Sequence, residues 1–97
     1  MRWRGVIVRR GERVSALRRI LVQEADVLGE RTSYYLLDES DRPSAGYGVE
    51  VRRGRERAAA RRLSFSGERV WRLAEMLARG SVTPWALSDV IEDWLAR

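Results

Sequence analysis

Apolar residues recur most regularly in the last third of the chain. Val70, Leu73, Ala74 and Leu77 stand at i, i+3, i+4 and i+7, which aligns them along one side of a helix. Ser66 precedes this stripe as an N-cap, with Gly67 and Glu68 in the first turn. Gly80, after Arg79, is a stop signal because glycine enters left-handed backbone freely. A second helix is announced by Thr83 as N-cap and Pro84 at its first position, with Val82 placed to staple onto Leu87. From there Leu87, Val90, Ile91, Trp94 and Leu95 fall on one face, and Ser88, Asp89, Glu92 and Asp93 on the other. The pattern predicts a C-terminal hairpin of two amphipathic helices.

Upstream the period shortens toward two. In residues 31–38, Thr32, Tyr34 and Leu36 point one way and Ser33, Tyr35 and Leu37 the other, so both sides carry bulk, as in a central strand. Residues 38–46 have the composition of a turn or loop. Tyr47, Val49 and Val51 then alternate with Gly48, Glu50 and Arg52, the signature of a half-buried strand. Two stretches stay open. In residues 14–28, Val14, Leu17, Leu21, Glu24 and Leu28 fit a helix, while Ile20, Val22 and Val27 suit a strand turned back through Gly29 and Glu30. In residues 57–65 the three alanines favour helix, yet Leu63 and Phe65 alternate with Arg62 and Ser64.

A chain of 97 residues suits one domain with one core, and residues 1–12 read either as part of it or as a basic N-terminal extension. Cysteine and histidine are both absent, which excludes a disulfide framework, a thiolate zinc site, a thiol nucleophile and the commonest general base. Gly46-Tyr47-Gly48 lacks the third glycine and the following helix of a dinucleotide fingerprint. The expectation is therefore no enzyme, no cofactor and no metal. No run approaches the ~20 apolar residues of a membrane span, and the short apolar run near the basic N-terminus is too brief for a signal peptide. A cytoplasmic location is expected, without membrane attachment.

The net charge is +5, and all 19 basic residues are arginine. With lysine and asparagine missing, that fits a coding bias toward GC-rich codons and weakens any inference from charge to nucleic acid. Charge nevertheless falls in blocks. Arg52, Arg53, Arg55, Arg57, Arg61 and Arg62 form the best candidate for phosphate contacts, although no aromatics are interleaved with them and a solvated sheet surface is the plainer reading. The two C-terminal helices share only their spacing with a helix-turn-helix. The second presents Asp89, Glu92 and Asp93, the wrong sign for a recognition helix.

Those three acids crowd one flank toward the end of a helix where the dipole favours cations. They are either paired with arginines such as Arg69, Arg72 and Arg79, or solvated, or part of a docking face for a basic partner. Trp85 either folds back over the preceding loop or joins the acids as an exposed anchor. The basic partner includes a second copy of the chain, approached through its Arg52–Arg62 block. Trp71 and Trp94 read as core or core-edge, and Trp3 as an ordering anchor or part of a tail.

Three segments carry a resemblance: Tyr47-Gly48-Val49-Glu50-Val51, Leu63-Ser64-Phe65-Ser66, and the run from Gly80 to Leu95. They resemble a family of short uncharacterised proteins from Gram-positive bacteria, catalogued as a domain of unknown function. Its most specific part is Leu87-x-Asp89-Val90-Ile91-Glu92-Asp93-Trp94-Leu95, and the sequence departs from it at Arg61 and Arg62. The resemblance implies a few antiparallel strands before the two helices, favouring strands for both open stretches, and carries no activity. The expected fold is α+β, a small antiparallel sheet of about three to five strands packed against a C-terminal two-helix hairpin. The expected role is a non-enzymatic protein-interaction or regulatory module, with nucleic-acid binding as the alternative.

Overall fold

In both stretches that fit helix and strand alike, the described residues form strands, Arg18–Val27 in one and Glu56–Ser64 in the other. The computed structural model describes residues 7–8, 18–42 and 44–97. Readings that rest on Trp3, Val14, Leu17 or the remainder of residues 1–12 lie outside the described residues. The elements are β1 (Ile7–Val8), β2 (Arg18–Val27), β3 (Glu30–Glu39), β4 (Gly46–Arg53), β5 (Glu56–Ser64), α1 (Gly67–Arg79) and α2 (Leu87–Leu95). The fold is α+β: four long antiparallel strands, edged by the two-residue β1, with a C-terminal helix pair. The sheet order is β1-β5-β4-β3-β2, so the strand with bulk on both sides, β3, is internal. Leu28 and Gly29, with φ of 53° and 81°, connect β2 to β3 in the left-handed turn geometry that matches strand twist.

One sheet face carries Tyr34, Leu36, Val49, Val51, Ala58 and Ala60 into a core with Val70, Leu73, Ala74, Leu77, Leu87 and Ile91. α1 packs over β2, β3 and β4, and α2 packs over β5. This explains the alanines of β5: small side chains let the second helix approach the sheet, and that packing overrides their helix propensity. The Tyr34 hydroxyl donates to the Val82 carbonyl at 2.8 Å, fastening the central strand to the segment between the helices. Burial raises the pKa of that hydroxyl.

Ser66 caps α1 as its position implies, its Oγ accepting from the Arg69 N–H at 3.2 Å. The other end differs from expectation. Gly80 has an ordinary φ of −85°, and the left-handed residue is Ser81, with φ 52°. Ser81 N–H donates to Ala78 O and Val82 N–H to Leu77 O, which closes a Schellman motif one residue later than glycine would place it. Val82, partly buried, packs against the core above that turn, and this anchor sets the register of the motif. Left-handed backbone costs a non-glycine residue ~1–2 kcal/mol, and glycine returns part of that through greater freedom when unfolded. Ser81→Gly is therefore expected to stabilise the fold by about 0.5–1 kcal/mol, read as a higher urea midpoint at unchanged slope.

The second helix also starts late. Thr83 makes no side-chain cap, Pro84–Ala86 form a 3-10 turn, and α2 begins only at Leu87. The tighter turn fits a proline directly after the connection and directs Trp85 outward. β4 is a further correction: it is buried on both faces, since Gly48 and Glu50 are enclosed as fully as Val49 and Val51. No helix among the described residues is long and apolar enough to cross a membrane.

Candidate functional site

Arg53 organises the most distinctive surface of the molecule. It lies on the helix side of β4, where its Nε donates to Val27 O at 3.0 Å and its Nη2 to Leu28 O at 3.1 Å. Its Nη1 sits 3.1 Å from a Glu30 carboxylate oxygen, and the guanidinium lies 5.6 Å from the centre of the Trp85 ring. One side chain thus ties the β2–β3 turn to the 3-10 turn. Leu28 is 76% exposed and Trp85 59%, so two large apolar groups from distant parts of the sequence project into solvent around a single arginine. A cation over an indole at this distance contributes ~0.5–1 kcal/mol at an exposed site, enough to hold the ring in place. Aromatic residues and arginine are the types most enriched among residues that carry binding energy.

The acids follow on α2, which begins directly after the 3-10 turn that carries Trp85. Asp89, Glu92 and Asp93 are all exposed. Asp93 pairs with Arg97 at 3.0 Å, whereas Asp89 and Glu92 have no partner among the described residues. At 100° per residue Asp89, Glu92 and Asp93 share one side of α2, and Trp85 stands ahead of them in the 3-10 turn. The structure joins Trp85 to Arg53 and Leu28, and places the three acids after it along α2. Leu28 had one signal in the sequence: the residue before Gly29 in a two-residue hairpin has to point away from the sheet.

The arginine block divides instead of gathering. Arg53 is engaged as described. Arg61 lies on the opposite sheet face in a two-pronged pair with Glu39, Nε to Oε1 at 3.0 Å and Nη2 to Oε2 at 2.6 Å. This hydrogen bonding holds the Glu39 carboxyl below the usual carboxylate range despite its burial, with help from the charges of Arg61, Arg62 and Arg42. Arg62 is exposed on a bulge of β5 with φ 59°. Arg52 and Arg57 are cross-strand neighbours, and with Arg55 they line an open recess of about 410 Å³ beside the β4–β5 turn.

Glu50 is the residue that sequence reasoning missed. It is fully buried on the face turned away from the helices, and its Oε1 accepts from Arg19 Nε at 2.7 Å. Arg52 Nε lies 3.9 Å from the same oxygen, and Oε2 takes no hydrogen bond among the described residues. An acid between valines on an alternating strand reads as solvated, and only the tertiary cover on this face makes it otherwise. Among the described residues no group of three or more acids is placed to hold a metal ion.

A family model, Family of unknown function (DUF6514), matches residues 15–97. No curated protein and no solved structure matches the chain.

Proposed function

Since the chain belongs to DUF6514, a family of unknown function, its role has to be read from its own surface, and we propose a non-enzymatic protein-interaction module. The Trp85, Asp89, Glu92 and Asp93 flank of α2, with Leu28 and Arg53 beside it, is the contact surface. The observation that carries this reading is the exposed Trp85 held over Arg53 next to two carboxylates that have no intramolecular partner among the described residues. Such a surface suits a partner with a basic rim and an apolar recess. Aromatic burial supplies the affinity and the acids supply orientation and rate.

The test is capture from a native lysate by the full chain, compared with Trp85→Ala and with Asp89→Arg combined with Glu92→Arg. Loss of an anchoring tryptophan is expected to weaken binding about 30-fold or more. The charge reversal is expected to slow association and to abolish its salt dependence. Partners retained equally by both variants would remove this surface from consideration. A second reading rests on the recess lined by Arg52, Arg55 and Arg57, whose geometry admits a phosphate backbone. Nuclease treatment separates the two readings: capture through this recess is lost with the nucleic acid, and capture through the α2 flank is not.

A further inference from the structure

Next to the acidic flank, where α2 meets α1, lies a groove of opposite charge. Arg69, Arg72, Arg79 and Arg97 rim a volume of about 350 Å³, with Met76 and Trp94 between them. The two surfaces adjoin, because Arg97 at the groove pairs with Asp93 on the flank. The cations of the groove are only lightly committed. Arg69 lies 4.8 Å from the centre of the Trp94 ring, and Arg79 has no partner among the described residues. Arg72 and Arg97 pair with Glu68 and Asp93 in (i, i+4) contacts between side chains that are all mainly exposed. Exposed pairs of that kind contribute little, so they exchange for better-placed carboxylates readily.

The matching occupant bears one bulky apolar group with acids beside it. The chain itself presents that surface: Trp85 in the 3-10 turn, then Asp89 and Glu92 on the exposed side of α2. We propose that the groove receives the Trp85, Asp89 and Glu92 flank of a second copy, the indole against Met76 and Trp94 and the carboxylates against Arg72 and Arg79. Each copy carries both the flank and the groove on neighbouring sides of α2. A two-fold axis running beside that helix makes the contact twice and closes the assembly as a dimer instead of a filament. This assignment rests on the reading of the flank as a docking surface and names its partner as the same chain.

Sedimentation of the full chain at high concentration tests it. The wild type is expected to be a dimer at low salt that dissociates as salt rises. Asp89→Arg with Glu92→Arg reverses the flank, and Arg72→Glu with Arg79→Glu reverses the groove. Each variant alone is expected to associate about tenfold more weakly or worse. Mixed together they are expected to recover the wild-type association, because in the mixed dimer both contacts again join opposite charges. A monomeric wild type at low salt, association indifferent to the reversals, or no recovery on mixing would each overturn the proposal. Recovery on mixing cannot come from misfolded variants. Should the chain be monomeric while the flank reversal still abolishes lysate capture, the dimer fails and the docking surface stands.

Discussion

Gly48→Ala is expected to lower stability by on the order of 3 kcal/mol or more, a loss large for any single methyl group. A Cβ at position 48 would stand 2.2 Å from the Ala60 carbonyl oxygen and 2.8 Å from the Arg61 Cα. Both are backbone atoms, so no side chain can swing aside. The cause is the irregular pairing of β4 with β5: Tyr47 faces Ser64 and Val49 faces Ala60, so three residues of β5 are opposed by Gly48 alone. Arg62 takes up the excess with its positive φ, and the bulged chain leans over Gly48. A thermal melt should show a midpoint lowered by about 12 °C or more for a domain of this size. Gly29→Ala is the matching control. A Cβ there meets nothing within 4 Å, so only the strain of φ 81° remains, and the cost is ~1–2 kcal/mol. Equal losses at the two positions would show that backbone conformation, and not the crowding of β5, decides the effect.

The second large effect is expected at Glu39. Its side chain is 3% exposed and that of Arg61 19%, so removing the acid strands a mostly enclosed guanidinium. Glu39→Ala is expected to cost about 3 kcal/mol at neutral pH, largely through that uncompensated charge. The pair also imposes a pH dependence. The folded carboxyl titrates below its unfolded value, so its contribution is complete above the unfolded pKa of about 4.3 and disappears as pH falls through the lower folded value. Asp38, lowered chiefly by hydrogen bonds from Ser40, adds in the same direction. Urea midpoints should hold steady above about pH 5 and fall steeply toward about pH 3. In Glu39→Ala the fall should be shallower, since the remaining acid-sensitive contribution is smaller. A parallel fall in both proteins would mean that Glu39 is not the group being titrated.

These two sites mark where the sequence stops being legible. The apolar stripes of α1 and α2 and the alternation around Tyr34 and Val49 fixed which residues meet in the core, because each element shows its buried side through its own period. The resemblance then favoured strand over helix for the stretches that became β2 and β5, which local propensity left undecided. The charged residues were harder. Glu39, Glu50 and Arg61 look like surface positions on alternating strands. Their burial depends on what covers the second face of the sheet, and no local pattern encodes that. The arginine block failed as a unit for a related reason: Arg52 and Arg53 are consecutive in a strand and so must point to opposite faces. The flank of α2 was visible from its spacing, but its union with Leu28 required the side chain of Arg53 to span two turns that lie far apart in sequence.

From β2 to β5 every strand pairs with its neighbour along the chain, and two of the three reversals use only two residues. Closing such short loops forfeits little chain entropy, so the hairpins can assemble early and zip together without a long-range search. Both helices follow the whole sheet in chain order and so are synthesised after it. Until they emerge, a finished sheet has its apolar side open to water, with Tyr34, Val49 and Val51 uncovered. A nascent chain held before Gly67 would therefore present a formed sheet with one sticky side, and the lid arrives only as α1 and then α2 emerge.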